Sequence, residues 1–324
     1  MLRIGVIGAG HLGKVHLKLL KEIKEYELVG FYDHDELNSL LVEKEFGVKS
    51  FKNFEELAAL VGLIDIVTPA TSHYDYANAS LRMSKHIFVE KPLTFSTDDA
   101  RVLVALASEA NVKVQVGHVE RFNPAFLAAK PFINHPLFIE TQRLAQYNPR
   151  GMDVSVVMDV MIHDIDIVLN IVKSPVKRIS ASGAAVIGKL PDMANARLEF
   201  DNGCVANLTA CRVSMVNKRE TLIFQINSYT MVDFLNKKTE IISLKTQAGK
   251  IDGHVLTDEL AKRKGDKVLN FESPVIAVSN SLKDELESFA QSIINNSETE
   301  VTVEDGFEAV RIANKIDDIL RLKV

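Results

Sequence analysis

The chain has 324 residues, of which 47% are hydrophobic and 25% are charged, as in soluble globular proteins long enough for two domains. Its 38 basic and 43 acidic side chains give a formal charge of -5, and the sequence has no basic block or basic-aromatic stripe, which argues against nucleic acid as a partner. No apolar run reaches the ~18 residues of a membrane span, and the opening MLRIGVIGAG is interrupted too soon by glycine for a signal peptide. The two cysteines, Cys204 and Cys211, fit a reducing compartment, so we expect a cytoplasmic protein without a membrane partner.

From residue 2 to about residue 120, short β-branched runs alternate with segments of helical periodicity. The predicted strands are LRIGVIG, YELVGFYD, LIDIVTP, HIFVEKP and VKVQVGH, and helices are predicted from about His11, Glu36, Tyr74 and Ser96. This alternation is typical of a parallel sheet with helices on both faces. We therefore expect an α/β, doubly wound Rossmann domain over residues 1–120.

After residue 136, strand-like runs follow one another directly: LFIETQRLAQY, VKRISASGAAVI, NARLEF, CVANLTACRV, ETLIFQI, TMVDFL and EIISLKT. One helix is predicted over residues 155–171, and two amphipathic helices, over 281–295 and 303–322, close the chain. Residues 247–274 are polar and are expected to form a mobile excursion or a covering loop. The pattern predicts an α+β domain with an open, largely antiparallel sheet over residues 121–324; alternatively, the closing helices pack back on the first domain.

A glycine motif, GAGHLG, stands directly after the first predicted strand and opens the first predicted helix. In this context the first glycine allows a tight turn, the second lets the backbone approach a pyrophosphate, and the third lets the helix pack on the strand. The candidate cofactor residues of the motif are Gly8, Gly10, His11, Leu12 and Gly13. The alternative is a glycine turn that binds no dinucleotide.

The second predicted strand ends at Asp33, twenty residues after Gly13. A carboxylate there can accept hydrogen bonds from ribose hydroxyls and repels a 2′-phosphate, which favours NAD over NADP. The third strand is followed by TPATSH, so Pro69, Thr71 and His73 are further candidates for cofactor contact at the carboxyl edge of the sheet. Alternatively, Thr71 or Ser72 only caps the next helix.

Three polar residues, Asp159, His163 and Asp166, recur on one face of an otherwise apolar predicted helix. Because burial of acids and imidazole is costly without partners, this stripe should face a partner or a wet pocket. The stripe has three interpretations: a structural network, a metal site, or a catalytic pair in which Asp159 holds the imidazole tautomer while His163 takes a proton from a hydroxyl. We expect no metal, because one histidine is a poor ligand set for zinc. Asp164 lies off the stripe and is expected to face solvent or to cap.

A lysine and a proline, Lys91 and Pro92, follow the buried run of the fourth predicted strand. Proline lacks a backbone donor and restricts the residue before it, so Lys91 should be held in an extended geometry, as a site would require.

Together the GxGxxG motif, the Glu-Lys-Pro of Glu90, Lys91 and Pro92, and the Asp-x-x-x-His of Asp159 and His163 make the chain similar to the Gfo/Idh/MocA oxidoreductases. The resemblance runs nearly to the last helix. It implies a second domain whose sheet face receives the substrate and forms a subunit interface, with Glu90 and Lys91 at the cofactor. It further implies that Lys91, Asp159 and His163 are catalytic and bind substrate, with the lysine between nicotinamide and substrate.

Residues 116–125, VGHVERFNPA, are similar to those of family members that oxidise the 3-hydroxyl of UDP-N-acetylglucosamine or its uronate. On this resemblance Arg121 and Asn123 are candidates for substrate binding, with Arg121 meeting a diphosphate; alternatively, both only tie the domains together. The chain departs from the family at Val154, Ser155 and Met161, where glycines are usual. We expect the Met161 change to alter packing and the loop change at Val154 to bear on the substrate.

These features predict an NAD-dependent dehydrogenase that transfers hydride between a sugar carbinol, on a nucleotide sugar, and nicotinamide. A free polyol or inositol dehydrogenase is the alternative within the class, and a non-catalytic dinucleotide or sugar sensor is the alternative outside it. We also expect a homodimer or homotetramer, because an open sheet face needs a partner to cover its apolar residues.

Overall fold

A computed structural model describes residues 1–148, 154–246 and 267–322 of the chain. The chain divides into two compact units. The first unit comprises Met1–Val119 and Asn280–Asn314, and the second unit comprises Glu120–Ser279 and Lys315–Val324.

The amino-terminal part of the first unit alternates strands and helices. Its strands are β1 (Leu2–Ile7), β2 (Tyr26–Tyr32), β3 (Leu63–Ile66), β4 (His86–Glu90) and β5 (Val114–Gly117). Its helices are α1 (His11–Glu22), α2 (Glu36–Phe46), α3 (Phe54–Ala58), α4 (His73–Arg82) and α5 (Thr97–Ala110). The strands pair in parallel in the order β2-β1-β3-β4-β5, which confirms the predicted Rossmann sheet.

Helix ends in this unit follow from local sequence. The Asp35 side chain accepts from the backbone N–H of Asn38 and begins α2, and Gly47 ends that helix in the left-handed region at φ 62°. Ser96 caps α5 in the same way as Asp35 caps α2. The carboxyl ends of the parallel strands therefore lead into helix N-termini at one edge of the sheet, which is where open α/β sheets bind ligands.

The second unit is built on one large sheet. Its strands are β6 (Phe138–Gln146), β7 (Val176–Ala184), β8 (Met193–Phe200), β9 (Val205–Ser214), β10 (Lys218–Gln225), β11 (Ser228–Asp233), β12 (Lys238–Thr246) and β13 (Lys267–Glu272). They lie in the order β13-β12-β11-β10-β6-β9-β8-β7, and every neighbouring pair is antiparallel except β6 and β9. The predicted open, largely antiparallel sheet is thus confirmed.

Two helices of the second unit are α6 (Pro124–Ala129) and α7 (Ile162–Val172), and a π-helical turn, Val157–Met161, precedes α7. On α6, Phe126 is buried with Val232 of β11 and Phe234 just beyond it. The expected loop over residues 247–274 needs correction, because its last part forms β13 and hydrogen-bonds to the edge of β12. Residues 247–266 lie outside the described residues.

The closing helices are α8 (Ser281–Ile294) and α9 (Val303–Arg321). Helix α8 packs Leu286 and Phe289 into the same core as Ile4 of β1 and Phe88 of β4. The Tyr26 hydroxyl donates to the Leu286 carbonyl at 2.7 Å. Because this apolar face is buried against the parallel sheet, α8 and most of α9 belong to the first unit, in agreement with the alternative that the closing helices pack back on the first domain. No helix in the described residues has the length and apolar character needed to span a membrane.

Candidate functional site

The glycine turn between β1 and α1 leaves room for a phosphate on only one side. Gly8 has a φ of +96°, and a Cβ there would lie 2.9 Å from the backbone of Val67 and Thr68. A Cβ on Gly13 would lie 2.1 Å from the Gly8 carbonyl oxygen, so α1 packs too closely on the turn for any side chain at this position. A Cβ on Gly10 would meet no atom within 4 Å, so the open side of the turn is at the second glycine. This shape fits a pyrophosphate against the first amides of α1.

The Asp33 carboxylate stands beside this turn, at the end of β2. It accepts from the Ala9 amide at 2.6 Å and from the Asp35 amide at 2.9 Å. Asn38 donates to the Ala9 carbonyl at 3.1 Å and lies 3.4 Å from Asp33. Sequence reasoning missed Asn38; its signal is its place in the first turn of α2, five residues after the acid.

A cavity of about 680 Å³ opens at this edge of the first unit. Seven predicted cofactor residues line it: Gly8, Gly10, His11, Leu12, Asp33, Pro69 and Thr71. Further lining residues that the sequence did not single out are Tyr32, Asn38, Thr68 and Tyr76. The glycine cradle, the acid and the two tyrosines are a donor and acceptor set that suits an adenine dinucleotide.

His73 was a candidate for cofactor contact, which stays a prediction, and in the structure its ring meets backbone carbonyls. Its side chain is buried and does not line the cavity. The ring nitrogens lie 2.7 Å from the Pro92 carbonyl oxygen and 3.0 Å from that of Thr68. Burial lowers the pKa of His73, against the smaller effect of these carbonyls. His73 therefore ties the loop after β3 to the segment that follows Lys91.

Lys91 follows directly on the last residue of β4, where the sheet meets its ligand-binding edge. It is half-buried, Glu90 before it is buried, and the Lys91–Pro92 peptide is cis. The Glu90 carboxylate accepts from the Lys91 amide at 3.3 Å. Glu90 and Lys91 do not line the cavity of the glycine turn. Their predicted contact with cofactor remains a prediction.

Beneath Lys91 lies a charged cluster that the sequence did not reveal. His16 of α1 is fully buried, with Nδ1 2.9 Å from Asp65 of β3 and Nε2 3.3 Å from Glu90. Burial alone would lower the pKa of His16, but Asp65 and Glu90 outweigh it and raise that pKa to about 10. A histidine on the buried face of α1 was the available signal. The raised pKa of His16 favours an imidazolium, and burial also raises the pKa of Asp65, against the lowering effect of His16.

In the second unit, the residues of the polar stripe fall on two kinds of helix. Asp159 lies in the π-helical turn, and His163 lies in the first turn of α7. Both are half-buried, whereas Asp166 is 1% exposed. The added residue of a π turn changes the simple 100° spacing, and such turns are frequent at functional sites. Asp159 and His163 are thus partly accessible on one short segment, and Asp166 is not.

The two acids on α7 that follow His163 are held by arginines. Arg143 pairs with Asp164 at 2.9 Å and with Glu120 at 2.8 Å. Asp164 is 2% exposed, so the expectation of a solvent-facing or capping acid was wrong. The reason is Arg143 on β6, whose planar fork satisfies a carboxylate inside the unit.

Arg121 and Asn123, predicted as substrate ligands, are buried and committed to protein partners. The Arg121 guanidinium donates two hydrogen bonds to the Asp166 carboxylate, of 2.8 Å and 2.5 Å. Asn123 caps α6 by accepting from the Ala125 amide and donates to the Phe234 carbonyl. These contacts favour the structural alternative, and substrate binding by either residue stays a prediction.

The departures from the family pattern have local packing reasons. The Ser155 hydroxyl donates to Asp317 at 2.6 Å and accepts from the Met158 amide, so it caps the π turn. The Val154 carbonyl accepts from Arg212 at 2.6 Å. Met161 is fully buried, which agrees with a change in packing.

Comparison with known proteins supports the dinucleotide fit. Residues 2–118 match the family described as oxidoreductase family, NAD-binding Rossmann fold, and residues 115–227 match the GFO/IDH/MocA C-terminal domain. The chain is 36% identical over 242 residues to UDP-N-acetylglucosamine 3-dehydrogenase of Acidithiobacillus ferrooxidans, covering 74% of this chain and 76% of the relative. It is 26% identical to myo-inositol 2-dehydrogenase of Thermotoga maritima, covering 94% of this chain and 92% of that relative.

A solved structure of the Acidithiobacillus ferrooxidans enzyme superposes with a TM-score of 0.89 at 30% identity, over 99% of this chain and 98% of that one. The identity to a curated relative and the two matched domains agree with the glycine cradle, the Glu-Lys-Pro segment and the two sheets. The protein belongs to the Gfo/Idh/MocA family of NAD-binding oxidoreductases.

Proposed function

We propose that the protein oxidises the 3-hydroxyl of a UDP-N-acetylhexosamine, or reduces the corresponding ketone, as an NAD-dependent dehydrogenase. The observation that carries the proposal is the 36% identity to a UDP-N-acetylglucosamine 3-dehydrogenase across three quarters of the chain. The shape of the glycine turn supports the cofactor, because only a residue without a Cβ fits at Gly8 and Gly13.

The residues divide the chemistry between them. Gly8, Gly10 and Asp33 would hold the dinucleotide by its pyrophosphate and ribose. When bound, NAD supplies the hydride acceptor. Lys91 would donate to the hydroxyl oxygen and lower the cost of the developing alkoxide. His163 would take the hydroxyl proton.

Asp159 would orient the His163 ring and stabilise its protonated form. His163 and Asp159 share a half-buried segment of the second unit, which supports a role at a ligand rather than in a sealed core. The structural network of the stripe is then Asp166 with Arg121, and the catalytic members are Asp159 and His163.

A free polyol such as inositol is the second candidate substrate. The 26% identity to a myo-inositol 2-dehydrogenase covers nearly the whole chain, and the pairing of Arg121 with Asp166 weakens one reason to favour a nucleotide sugar. The higher identity keeps the nucleotide sugar as the leading substrate.

A panel of UDP-sugars, the matching free sugars, and inositols, each mixed with protein and NAD, tests this by nicotinamide absorbance. We expect the highest kcat/KM with UDP-N-acetylglucosamine or its uronate. Turnover of inositol alone would assign the alternative, and binding without turnover of any sugar would favour a sensor.

The open face of the second unit's sheet supports a homodimer or homotetramer. Phe138, Phe224 and Tyr229 form a cross-strand aromatic cluster on the face opposite α7, and Phe224 is 39% exposed. A patch of this kind is covered best by a second copy. A cytoplasmic location stays a prediction.

A further inference from the structure

The cluster of His16, Asp65 and Glu90 joins the helix of the glycine cradle to the segment that carries Lys91. All three side chains come from different elements of the first unit: α1, β3 and the end of β4. His16 and Asp65 are fully buried, and Glu90 is 8% exposed. Such a cluster costs several kcal/mol of desolvation unless its charges and hydrogen bonds are matched. Core packing alone therefore does not explain why three ionisable side chains are buried together at this place.

The Glu90 carboxylate is fixed from three sides. One oxygen lies 3.3 Å from His16 Nε2, and the other accepts from the Lys91 amide at 3.3 Å. On a third side Gly117 of β5 approaches so closely that a Cβ there would lie 2.9 Å from the carboxylate. The carboxylate cannot turn away from Lys91 without losing one of these contacts.

His16 in turn is fixed by its other nitrogen. Nδ1 meets Asp65 at 2.9 Å, and the ring stands edge-on to Phe88 at a centroid distance of 5.8 Å. The imidazole is thus anchored at Nδ1, with Nε2 lying 3.3 Å from a Glu90 oxygen as an ion-pair contact. Because the His16 ring is held at Nδ1, its position limits where the Glu90 carboxylate can lie.

We propose that His16 is a positioning residue for the proposed reaction: anchored by Asp65, its ring holds the Glu90 carboxylate against the Lys91 backbone and so fixes the lysine for catalysis. This inference rests on the proposed role of Lys91. It gives α1 a second task beyond phosphate binding, through the face of the helix opposite its solvent side.

Two substitutions that remove the same charge but keep different donors separate positioning from simple anchoring. The amide of asparagine replaces the Nδ1 donor of histidine, and that of glutamine replaces the Nε2 donor. His16→Asn therefore keeps the bond to Asp65 and loses the contact with Glu90, whereas His16→Gln does the reverse.

If His16 positions Lys91, His16→Asn lowers kcat with UDP-N-acetylglucosamine about tenfold to a hundredfold with little change in KM, and His16→Gln stays within about threefold of wild type. An anchoring role predicts the opposite order, because only asparagine keeps the tie between α1 and β3. Equal losses in the two variants would also overturn the proposal.

A second readout does not depend on turnover. In protein labelled with ¹⁵N-lysine, the Lys91 amide is assigned by its loss in Lys91→Arg, and its exchange with solvent is followed by NMR. We expect exchange at least about tenfold faster in His16→Asn and unchanged in His16→Gln. Unchanged exchange in His16→Asn would refute the inference even if the sugar substrate proves different.

The double variant His16→Asn with Lys91→Ala completes the test. Because His16 acts through Lys91, its loss should not lower the residual rate of Lys91→Ala further. An additional tenfold loss would mean that His16 acts by another route. Full activity in Lys91→Ala would instead refute the proposed catalytic role of Lys91, with the NMR result left to decide the structural link.

If His16→Asn does not fold, Gly117→Ala carries the same test. It presses on the Glu90 carboxylate from β5 without changing any charge, and the same loss of kcat and faster Lys91 exchange are expected. Wild-type values for both would contradict the proposal.

Discussion

Lys91 and His163 are expected to act on one hydroxyl, so replacing either should lower turnover by roughly 10²- to 10⁴-fold. NAD should still bind with an unchanged dissociation constant, because the glycine cradle is untouched. Steady-state kinetics with the substrate identified by the panel, and titration with NAD, measure both quantities. Lys18→Ala, an exposed lysine on α1, is the matched control.

The two losses should not add, because groups that serve one proton transfer form a unit. The double variant of Lys91→Ala and His163→Ala should be little worse than the poorer single variant, and Asp159→Asn should be milder than His163→Ala. Full activity in Lys91→Ala would rule out the mechanism.

Asp33 should make the protein prefer NAD over NADP by at least about tenfold in dissociation constant, because its carboxylate would repel a 2′-phosphate. Asp33→Ser should reduce this preference to less than about threefold, as measured by titration with both cofactors. Glu22→Gln removes an exposed charge of α1 that does not line the cavity, so it should leave the preference unchanged. Equal affinities in the wild type would refute this role of Asp33.

Single residues were the least predictable part of the site. Gly8, Gly13 and Asp33 stand at positions that a motif defines, so the sequence predicts them. The role of a buried polar residue depends on which distant group it meets. Arg121 meets Asp166, and Asp164 meets Arg143. His73 meets the backbone carbonyl of Pro92. A local sequence pattern does not show which distant groups will pair. The cluster of His16, Asp65 and Glu90 was missed for the same reason.

At the scale of elements, the strands of the first unit could be predicted because each is a short apolar run between a turn and a helix. Two elements of the second unit could not be predicted from the sequence. Strand β13 lies in a polar stretch and exists because it hydrogen-bonds to the edge of β12. The π turn before α7 adds one residue to a helix whose apolar pattern is unbroken.

Helix α7 should depend on its two buried ion pairs. Arg121→Met leaves Asp166 buried without its partner, and we expect it to lower the free energy of unfolding by about 3–5 kcal/mol. Adding Asp166→Leu should restore most of this loss, because an apolar pair of similar volume avoids the desolvation cost. Denaturant unfolding of the two variants and wild type measures both effects.

A double variant no more stable than Arg121→Met would show that the pair stabilises through its charges. The exposed pair of Arg178 and Glu199 on β7 and β8 is the control. Arg178→Met should leave the free energy of unfolding close to that of the wild type, because solvent screens an exposed pair.

For the whole molecule, the buried imidazolium of His16 makes stability depend on pH. Its pKa is raised from 6.5 to about 10, so the stabilisation is complete below pH 6.5 and is lost as pH rises through about 10. Between pH 7 and 9 the unfolding free energy should fall by up to about 1.4 kcal/mol per pH unit.

The slope from pH 7 to pH 9 should disappear in His16→Gln, because glutamine does not titrate. Denaturant unfolding at a series of pH values measures it. A wild-type slope that survives in His16→Gln would assign the effect to another group.

The assembly proposed for the sheet face can be tested by sedimentation. At micromolar concentration we expect a dimer or a tetramer, and Phe224→Lys should shift it to a smaller species, because a charge in an apolar interface is costly. Leu40→Lys, on the exposed face of α2, should leave the assembly unchanged. A wild-type monomer would contradict the proposal.

The hydrogen bond from Tyr26 to Leu286 spans 260 residues, so the helix that receives it is made long after β2. During synthesis on the ribosome, the segment that carries the glycine turn emerges before α8 and cannot complete its core until α8 has emerged. The eight-stranded sheet is translated entirely within that interval. The nascent Rossmann segment therefore waits with apolar surface exposed, and we expect a chain that stops before α8 to aggregate through that surface.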